Sequence, residues 1–225
     1  MKRLLLGLSF IISQLLFSSV AAQDRAEVLM ETSMGNIRIQ LYNETPQHRD
    51  NFLKLVKAHY YDSLAFHRII KNFMVQGGNR NNRLSTTVNP DVAALGDLDY
   101  TIEAEFRMPQ LFHKRGTVAA AREGDDVNPM KRSSSTQFYF VWGRIFSERA
   151  MEFTESRLTT ELTPQQREAY MTVGGTPHLD GAYTVFGEIV EGLDVVERMQ
   201  GVETDEMDKP LEPVIIIRTT VSKEL

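Results

Sequence analysis

The sequence predicts a mainly β domain, an antiparallel barrel or sandwich, and three observations lead there. Short runs in which apolar and polar residues alternate recur along the chain between turn residues. Only two segments flanking them carry the spacing of an amphipathic helix, and strands and helices do not alternate as a parallel sheet requires. At 225 residues, 42% hydrophobic and 24% charged, the chain suffices for one domain around one substantial core.

The elements follow in order. From Glu27, the pattern VLMETSMGNIRIQLY gives two runs around Ser33-Met34-Gly35, with Ile37, Ile39 and Leu41 alternating against Asn36, Arg38 and Gln40. This is a hairpin with one buried face. Thr45 as N-cap and Pro46 at the first helical position open a helix that places Phe52, Leu55, Val56 and His59 on one side. Further strand candidates are Ala65 to Ile70, Met74 to Gln76, Gly116 to Ala121, Gln137 to Trp142, Tyr183 to Val190 and Pro213 to Val221. Between Glu191 and Gly201, LDVVERMQ carries Leu193, Val196 and Met199 on one side and ends at a glycine free to take a left-handed cap, so a second helix is expected there. One stretch, about 146–173, departs from this rhythm. It contains SERAMEFTESRL, then Thr163-Pro164-Gln165-Gln166 in capping-box order, then Gly174-Gly175 as a stop, and is expected to be a helical insertion.

The first 22 residues have a different character. Lys2 and Arg3 precede an apolar run from Leu4 to Phe17, and Ser18 to Ala22 supplies the small residues of a cleavage site. The run is shorter than the roughly 20 residues a membrane span needs. A cleaved secretory signal at 1–22 is therefore expected, followed by one domain over 23–225, exported and either periplasmic or secreted, without stable membrane association. From Gln23 onward 23 basic residues face 30 acidic ones, a net charge of −7 with no basic run, which argues against nucleic acid as a partner. The absence of cysteine excludes disulfides, thiolate nucleophiles and zinc-thiolate sites. The five histidines, at 48, 59, 67, 113 and 178, show no ligand spacing, so neither metal nor cofactor is expected, and His67 reads as structural. Asp205-Glu206-Met207-Asp208 lacks the calcium-loop offsets and reads as a solvated loop. Gly77-Gly78 precedes neither Lys-Ser/Thr nor a helix signal, and Ser133 to Ser135 lack the G-x-S-x-G elbow, which leaves no phosphate cradle or serine hydrolase.

The stretch FHRIIKNFMVQGG, Phe66 to Gly78, carries the chemistry. On a strand, Phe66, Arg68 and Ile70 share a face, and Asn72 marks a tight turn. A three-residue loop sets Gln76 opposite Arg68 and Met74 opposite Ile70, whereas a two-residue loop sets Val75 opposite Arg68 and disperses the cluster; local pattern alone leaves both open.

FHRIIKNFMVQGG, then GTVAAA, then SSSTQFYF, then HLDGAYTVFGEIVEGLDVV resembles the cyclophilin family of peptidyl-prolyl cis-trans isomerases, in order and over most of Glu27 to Thr220. The resemblance implies a closed antiparallel eight-stranded barrel with two capping helices. It makes Arg68 the catalytic arginine, with Gln76 opposite to orient it, and Phe73, Met74, Tyr139 and Leu179 the proline pocket. Gln76, Ala121 and Gln137 would hold the substrate backbone, and Arg122, His178 and Tyr183 complete the surround. The family usually has phenylalanine where Tyr139 stands and often asparagine where Arg122 stands; the first change keeps an aromatic wall, the second bears on one backbone contact. Eukaryotic members commonly have tryptophan and histidine at the positions of His178 and Tyr183, and the change at 178 bears on binding of the cyclic peptide cyclosporin.

The implied activity is acceleration of rotation about X-Pro bonds, assisting the folding of exported proteins, by a monomer acting on proline-containing polypeptides. An X-Pro bond rotates over a barrier of roughly 18–20 kcal/mol because rotation breaks amide resonance. A guanidinium, always charged, can donate to the prolyl nitrogen once twisting restores its lone pair, an interaction absent from the planar ground state. The alternative, a peptide-binding module or holdase that keeps the pocket without turnover, needs no Arg68; a structural protein without a site is the third reading.

Overall fold

The computed structural model describes residues 24–86 and 89–225; the expected signal segment lies outside the described residues. Strands β1 (Glu27–Thr32) and β2 (Gly35–Leu41) form the anticipated hairpin, with Val28, Met30, Ile37, Ile39 and Leu41 fully buried on one face. Helix α1 (Pro46–Lys57) follows, then β3 (Arg68–Ile70), β4 (Met74–Gly77), a short α2 (Pro90–Ala94), β5 (Thr101–Ile102), β6 (Thr117–Ala120), β7 (Ser133–Ser134) and β8 (Phe138–Val141). Helices α3 (Glu148–Glu155) and α4 (Pro164–Thr172), strand β9 (Val185–Glu191), helix α5 (Leu193–Met199) and strand β10 (Ile216–Lys223) complete the chain. Sequence periodicity does not reveal α2, β5 or β7, each of five residues or fewer.

Eight strands form one antiparallel sheet in the order β10-β1-β2-β9-β6-β8-β4-β3. The expected closed barrel is corrected: the sheet curls, but no ladder joins its end strands β3 and β10. Three backbone hydrogen bonds of 2.8–2.9 Å between residues 63–66 and 214–216, lying at or ahead of the two strands, stitch the gap instead. Of the expected strand from Ala65 to Ile70, only Arg68–Ile70 keeps strand geometry, and the stretch ahead of it that meets 214–216 does so outside any ladder.

Alternation across the sheet divides the apolar residues into two layers. Val75, Val118, Ala120, Phe138 and Phe140 point into the main core, where Phe52 of α1 meets Tyr61, Phe138 and Phe186 at ring separations of 5.0–5.5 Å. Met74, Ala119, Tyr139 and Val141 point the other way and form a second cluster with Tyr42 and Val185.

Helix α1 begins where expected, with Thr45 at the N-cap position, but the Thr45 side chain makes no capping hydrogen bond. The Thr45 hydroxyl leans back to the Tyr42 carbonyl at 3.4 Å, and Glu105, distant in sequence, caps the helix. Its carboxylate accepts from the backbone N–H of Gln47 and of His48 at 3.3 and 3.0 Å, and lies 2.8 Å from His48 Nδ1, while His48 Nε2 lies 2.9 Å from Ser133 Oγ. All three side chains are buried, which shuts this Ser-His-Glu arrangement away from any substrate. Burial by itself raises the Glu105 pKa, but hydrogen bonds from His48 and Gln47 outweigh it and hold the carboxyl below its ordinary value. His59 lies beyond the end of α1, at φ +60°, where it turns to Asp62 and does not complete the helix stripe.

Helix α5 differs in two details. Val195, rather than Leu193, joins Val196 and Met199 on the buried face, because Leu193 occupies the first turn at the edge of the apolar stripe. The left-handed glycine is Gly192 at the start, at φ +86°, while Gln200 ends the helix; Gly201 is not left-handed. Within residues 146–173 two helices form, α3 and α4, joined by a non-helical stretch. Thr163 and Gln166 make the reciprocal capping box, and Gly174 at φ +96° and Gly175 at φ +150° end α4. At Gly175 the backbone of 112–114 and of 143–144 close in, and a Cβ would collide with the His113 carbonyl.

Glu105→Ala is expected to cost about 2–4 kcal/mol in denaturant unfolding, combining a lost helix cap with unpaired buried donors. Thr45→Val should cost less than half as much. Because the folded pKa of Glu105 is depressed, its contribution is present above the ordinary carboxylate range and disappears as pH falls through the folded value.

Candidate active site

The β3–β4 hairpin turns through Lys71-Asn72-Phe73, with Asn72 at φ +58° and the Phe73 N–H donating to Ile70 O at 3.0 Å. The loop has three residues, so Arg68 pairs with Gln76 and Ile70 with Met74, and the alternative register is absent. Strand β4 then pairs with β8, setting Gln76 opposite Tyr139. Nine residues of sequence, Arg68 to Gln76, therefore deliver Arg68, Met74 and Gln76 to the outer face, beside a wall supplied from β8.

There a cavity of about 170 Å³ is lined by Arg68, Phe73, Met74, Gln76, Ala121, Arg122, Tyr139, Leu179 and Tyr183. The other two expected site residues stand at its margin. Gln137 accepts a 3.2 Å hydrogen bond from the Gln76 amide, and the His178 ring stacks on Phe73 at 5.6 Å. All eleven residues are thus brought together from four separate stretches of chain. Tyr139 meets Tyr183 edge-on at 6.1 Å, giving the cavity an aromatic corner.

Three details differ from expectation. Gln76 faces Arg68 across the hairpin but does not touch its side chain. The Arg68 Nε instead donates to Asp208 Oδ2 at 3.2 Å, a carboxylate being a stronger partner for a guanidinium than a neutral amide. Among the described residues the two terminal nitrogens of Arg68 have no protein partner, and the side chain is 47% exposed. The 205–208 stretch is accordingly more than a solvated loop: Asp208 holds Arg68, and its carbonyl accepts from Ile69 N at 2.8 Å.

The second difference concerns Ala121. Its N–H donates to Gln137 O and its carbonyl accepts from Ser134 N, at 3.0 and 2.8 Å. The backbone groups without protein partners, among the described residues, are those of Arg122 next to it. The Arg122 side chain turns aside, donating to Ala182 O at 2.7 Å with its guanidinium 4.4 Å over the Tyr183 ring, so its size does not fill the cavity.

The third is beneath the wall. Tyr139 Oη lies 3.0 Å from His113 Nε2, His113 Nδ1 lies 2.9 Å from Asp180 Oδ1, and Tyr170 Oη donates to Asp180 Oδ2 at 2.6 Å. Burial pushes the Tyr139 phenol well above its ordinary pKa, as it does Tyr170, where the Asp180 charge adds to it; both remain proton donors. Burial lowers the pKa of His178, and the nearby His113 adds to that, which keeps the ring on Phe73 neutral near pH 7. Sequence reasoning found none of Asp208, His113 or Asp180 as site partners, since each reaches the site from a distant stretch without a local signature.

The chain is similar to known proteins in sequence and in fold. The family described as "Cyclophilin type peptidyl-prolyl cis-trans isomerase/CLD" matches residues 27–221. A putative peptidyl-prolyl cis-trans isomerase of Staphylococcus aureus is 31% identical over 199 residues, covering 86% of this chain and 90% of that protein. Peptidyl-prolyl cis-trans isomerase ppi1 of Schizosaccharomyces pombe is 32% identical over 196 residues, covering 86% and 97%. Other relatives are longer: the chain spans 25% of a Gibberella zeae isomerase-like protein and 37% of a putative bifunctional phosphatase/isomerase of Streptococcus pyogenes. In fold, a crystal structure of a Cryptosporidium parvum cyclophilin type isomerase superposes with a TM-score of 0.63 at 19% identity, covering 89% of this chain and 99% of that one. The same protein has been crystallised in the presence of the dipeptide Ala-Pro, with a TM-score of 0.62. With the family pattern covering nearly all of the described chain and the curled sheet matching, the protein belongs to the cyclophilin-type peptidyl-prolyl cis-trans isomerase family.

Proposed function

We propose that the chain catalyses cis-trans isomerisation of X-Pro bonds in polypeptides. The observation that carries this reading is the juxtaposition of an apolar, aromatic-cornered cavity with a guanidinium anchored by its Nε alone. Phe73, Met74, Tyr139 and Leu179 take the pyrrolidine ring, the buried Met74 and Tyr139 forming the floor and the partly buried Phe73 and Leu179 the rim. The free terminal nitrogens of Arg68 donate to the prolyl nitrogen as it pyramidalises, so the bond is strongest at the twisted transition state. Gln76, fixed by Gln137, and the main chain of Arg122 hold the flanking backbone so that rotation is confined to one bond. A charge-assisted hydrogen bond supplies about 1.5–3 kcal/mol, or one to two decades of rate, and the pocket and backbone clamps supply the remainder. The solved relative crystallised in the presence of Ala-Pro supports a proline-containing substrate.

The further parts of the reading rest on the sequence. The chain is proposed to be exported, to lose residues 1–22, to function as a monomer over 23–225 in the folding of exported proteins, and to carry 146–173 as an insertion on the family frame.

Arg68→Ala is expected to lower the isomerisation rate of an X-Pro peptide by at least about tenfold with the fold intact, and Asp208→Ala by less, since it loosens the guanidinium without removing it. Equal rates for Arg68→Ala and the parent, both folded, would remove Arg68 from the mechanism. Export is tested by intact mass: protein from the native cell should begin at Gln23 in a soluble fraction, and a chain beginning at Met1 in membranes would overturn it. For cyclosporin, the imidazole of His178 offers less area than an indole and a differently placed donor, so inhibition should be weak. His178→Trp should recover part of about one to two decades of affinity while barely changing isomerase rate. Titration of both proteins during turnover decides it; tight inhibition of the parent would show that position 178 is energetically minor.

A further inference from the structure

We infer that His113 and Asp180 are positioning residues for the proline pocket, and that Tyr170 on α4 completes their site. This inference rests on the isomerase reading above and assigns a task to the helical stretch between β8 and the His178–Leu179 turn.

Asp180 is the hub. Its side chain is 6% exposed and receives three donors: the His113 backbone N–H at 2.8 Å and Nδ1 at 2.9 Å on one oxygen, and Tyr170 Oη at 2.6 Å on the other. An ionised carboxylate only accepts, so His113 Nδ1 carries a proton, and in the neutral ring Nε2 is the acceptor that takes the Tyr139 hydroxyl proton. The hydroxyl is thereby drawn away from the cavity and the ring is left to face proline with its apolar surface. The His113 ring also lies against the Tyr139 ring, 6.1 Å apart and inclined by 14°.

Asp180 directly follows Leu179 in the turn that carries His178 and leads to Tyr183, and the Leu179 carbonyl accepts from the N–H of Ala182 and of Tyr183. One carboxylate therefore fixes Tyr139, through His113, and Leu179 and Tyr183, through the turn. Those are three of the nine residues that line the cavity. None of the three donors lines it. Tyr170 is fully buried between Phe112 and Phe146, with ring separations of 5.5 and 6.4 Å, so its hydroxyl is aimed by packing from the 146–173 helices. A polar, satisfied, fully enclosed chain of this kind is costly to break in part, because any member removed leaves a buried group unpaired. Here the cost falls on pocket shape, while the Arg68 end of the cavity, held by Asp208, is untouched.

The test uses the full chain. Tyr170→Phe keeps the ring and its packing and removes one hydroxyl. It is expected to raise KM for an X-Pro peptide, and its Kd by NMR titration, about three- to tenfold, the worth of one hydrogen bond, with kcat within about twofold. A purely structural tyrosine would lower Tm and leave KM and Kd of the folded protein unchanged; that result would overturn the inference. A second arm covers failure of that variant to fold. In a cycle of His113→Phe and Tyr139→Phe, the loss of peptide affinity from His113→Phe should largely disappear in the Tyr139→Phe background, and additive losses would also overturn it. Imidazole ¹⁵N shifts of the parent should show His113 protonated at Nδ1 and hydrogen-bonded at Nε2, with the Nε2 signal displaced in Tyr139→Phe; protonation at Nε2 alone would refute the relay. If the parent binds proline peptides but does not turn them over, the isomerase reading fails while the Kd and ¹⁵N arms still decide this one.

Discussion

Burial of both faces of β8 is the constraint on which the molecule depends. Its four residues, Phe138 to Val141, are all buried, yet alternation forbids them to share one core. Phe138 and Phe140 therefore fill the interior against α1, and Tyr139 and Val141 must be covered on the outside by something else. The cover is the site itself: Met74 from β4, Ala119 from β6 and the Leu179–Tyr183 turn. A cavity able to take a pyrrolidine ring is what remains where that cover is incomplete. Packing and recognition are here the same set of contacts, with Tyr139 shared between them.

This explains how much of the protein its sequence declares. The two-residue alternation in β1 and β2 and the capping box at Thr163 are local signals, readable without any tertiary knowledge, and the structure repeats them. The hairpin register was half legible. Asn72 marked the turn, but its length followed from the left-handed backbone at that residue. What the sequence withheld is what long-range partners decide. Thr45 has the residue type of a cap, and Glu105 displaces it with a charged acceptor that serves two backbone donors and a histidine at once. The seam is likewise decided at long range, since residues 63–66 meet 214–216 through isolated bonds that no local pattern announces.

The site shows the same division. Its eleven residues follow from the resemblance to the family, and they converge. Their supports were not named. Asp208 sits in a run of acidic residues indistinguishable from a solvated loop, and His113 shows no ligand spacing to another histidine or carboxylate. Support of this kind is invisible in one dimension, because an ion pair or buried hydrogen bond requires only that two side chains meet, and places no condition on the sequence between them.

The open seam gives Asp208 a second consequence. Strand β3 lies at the end of the sheet order, and an edge strand with free backbone donors is a template on which another chain can add. The Ile69 N–H is closed off by the Asp208 carbonyl, and Arg68 beside it presents a charge to any approaching strand. The loop that holds the guanidinium therefore also closes part of the sheet edge to a further strand. The exposed guanidinium beside the cavity and the protected edge of the sheet are thus held by one aspartate.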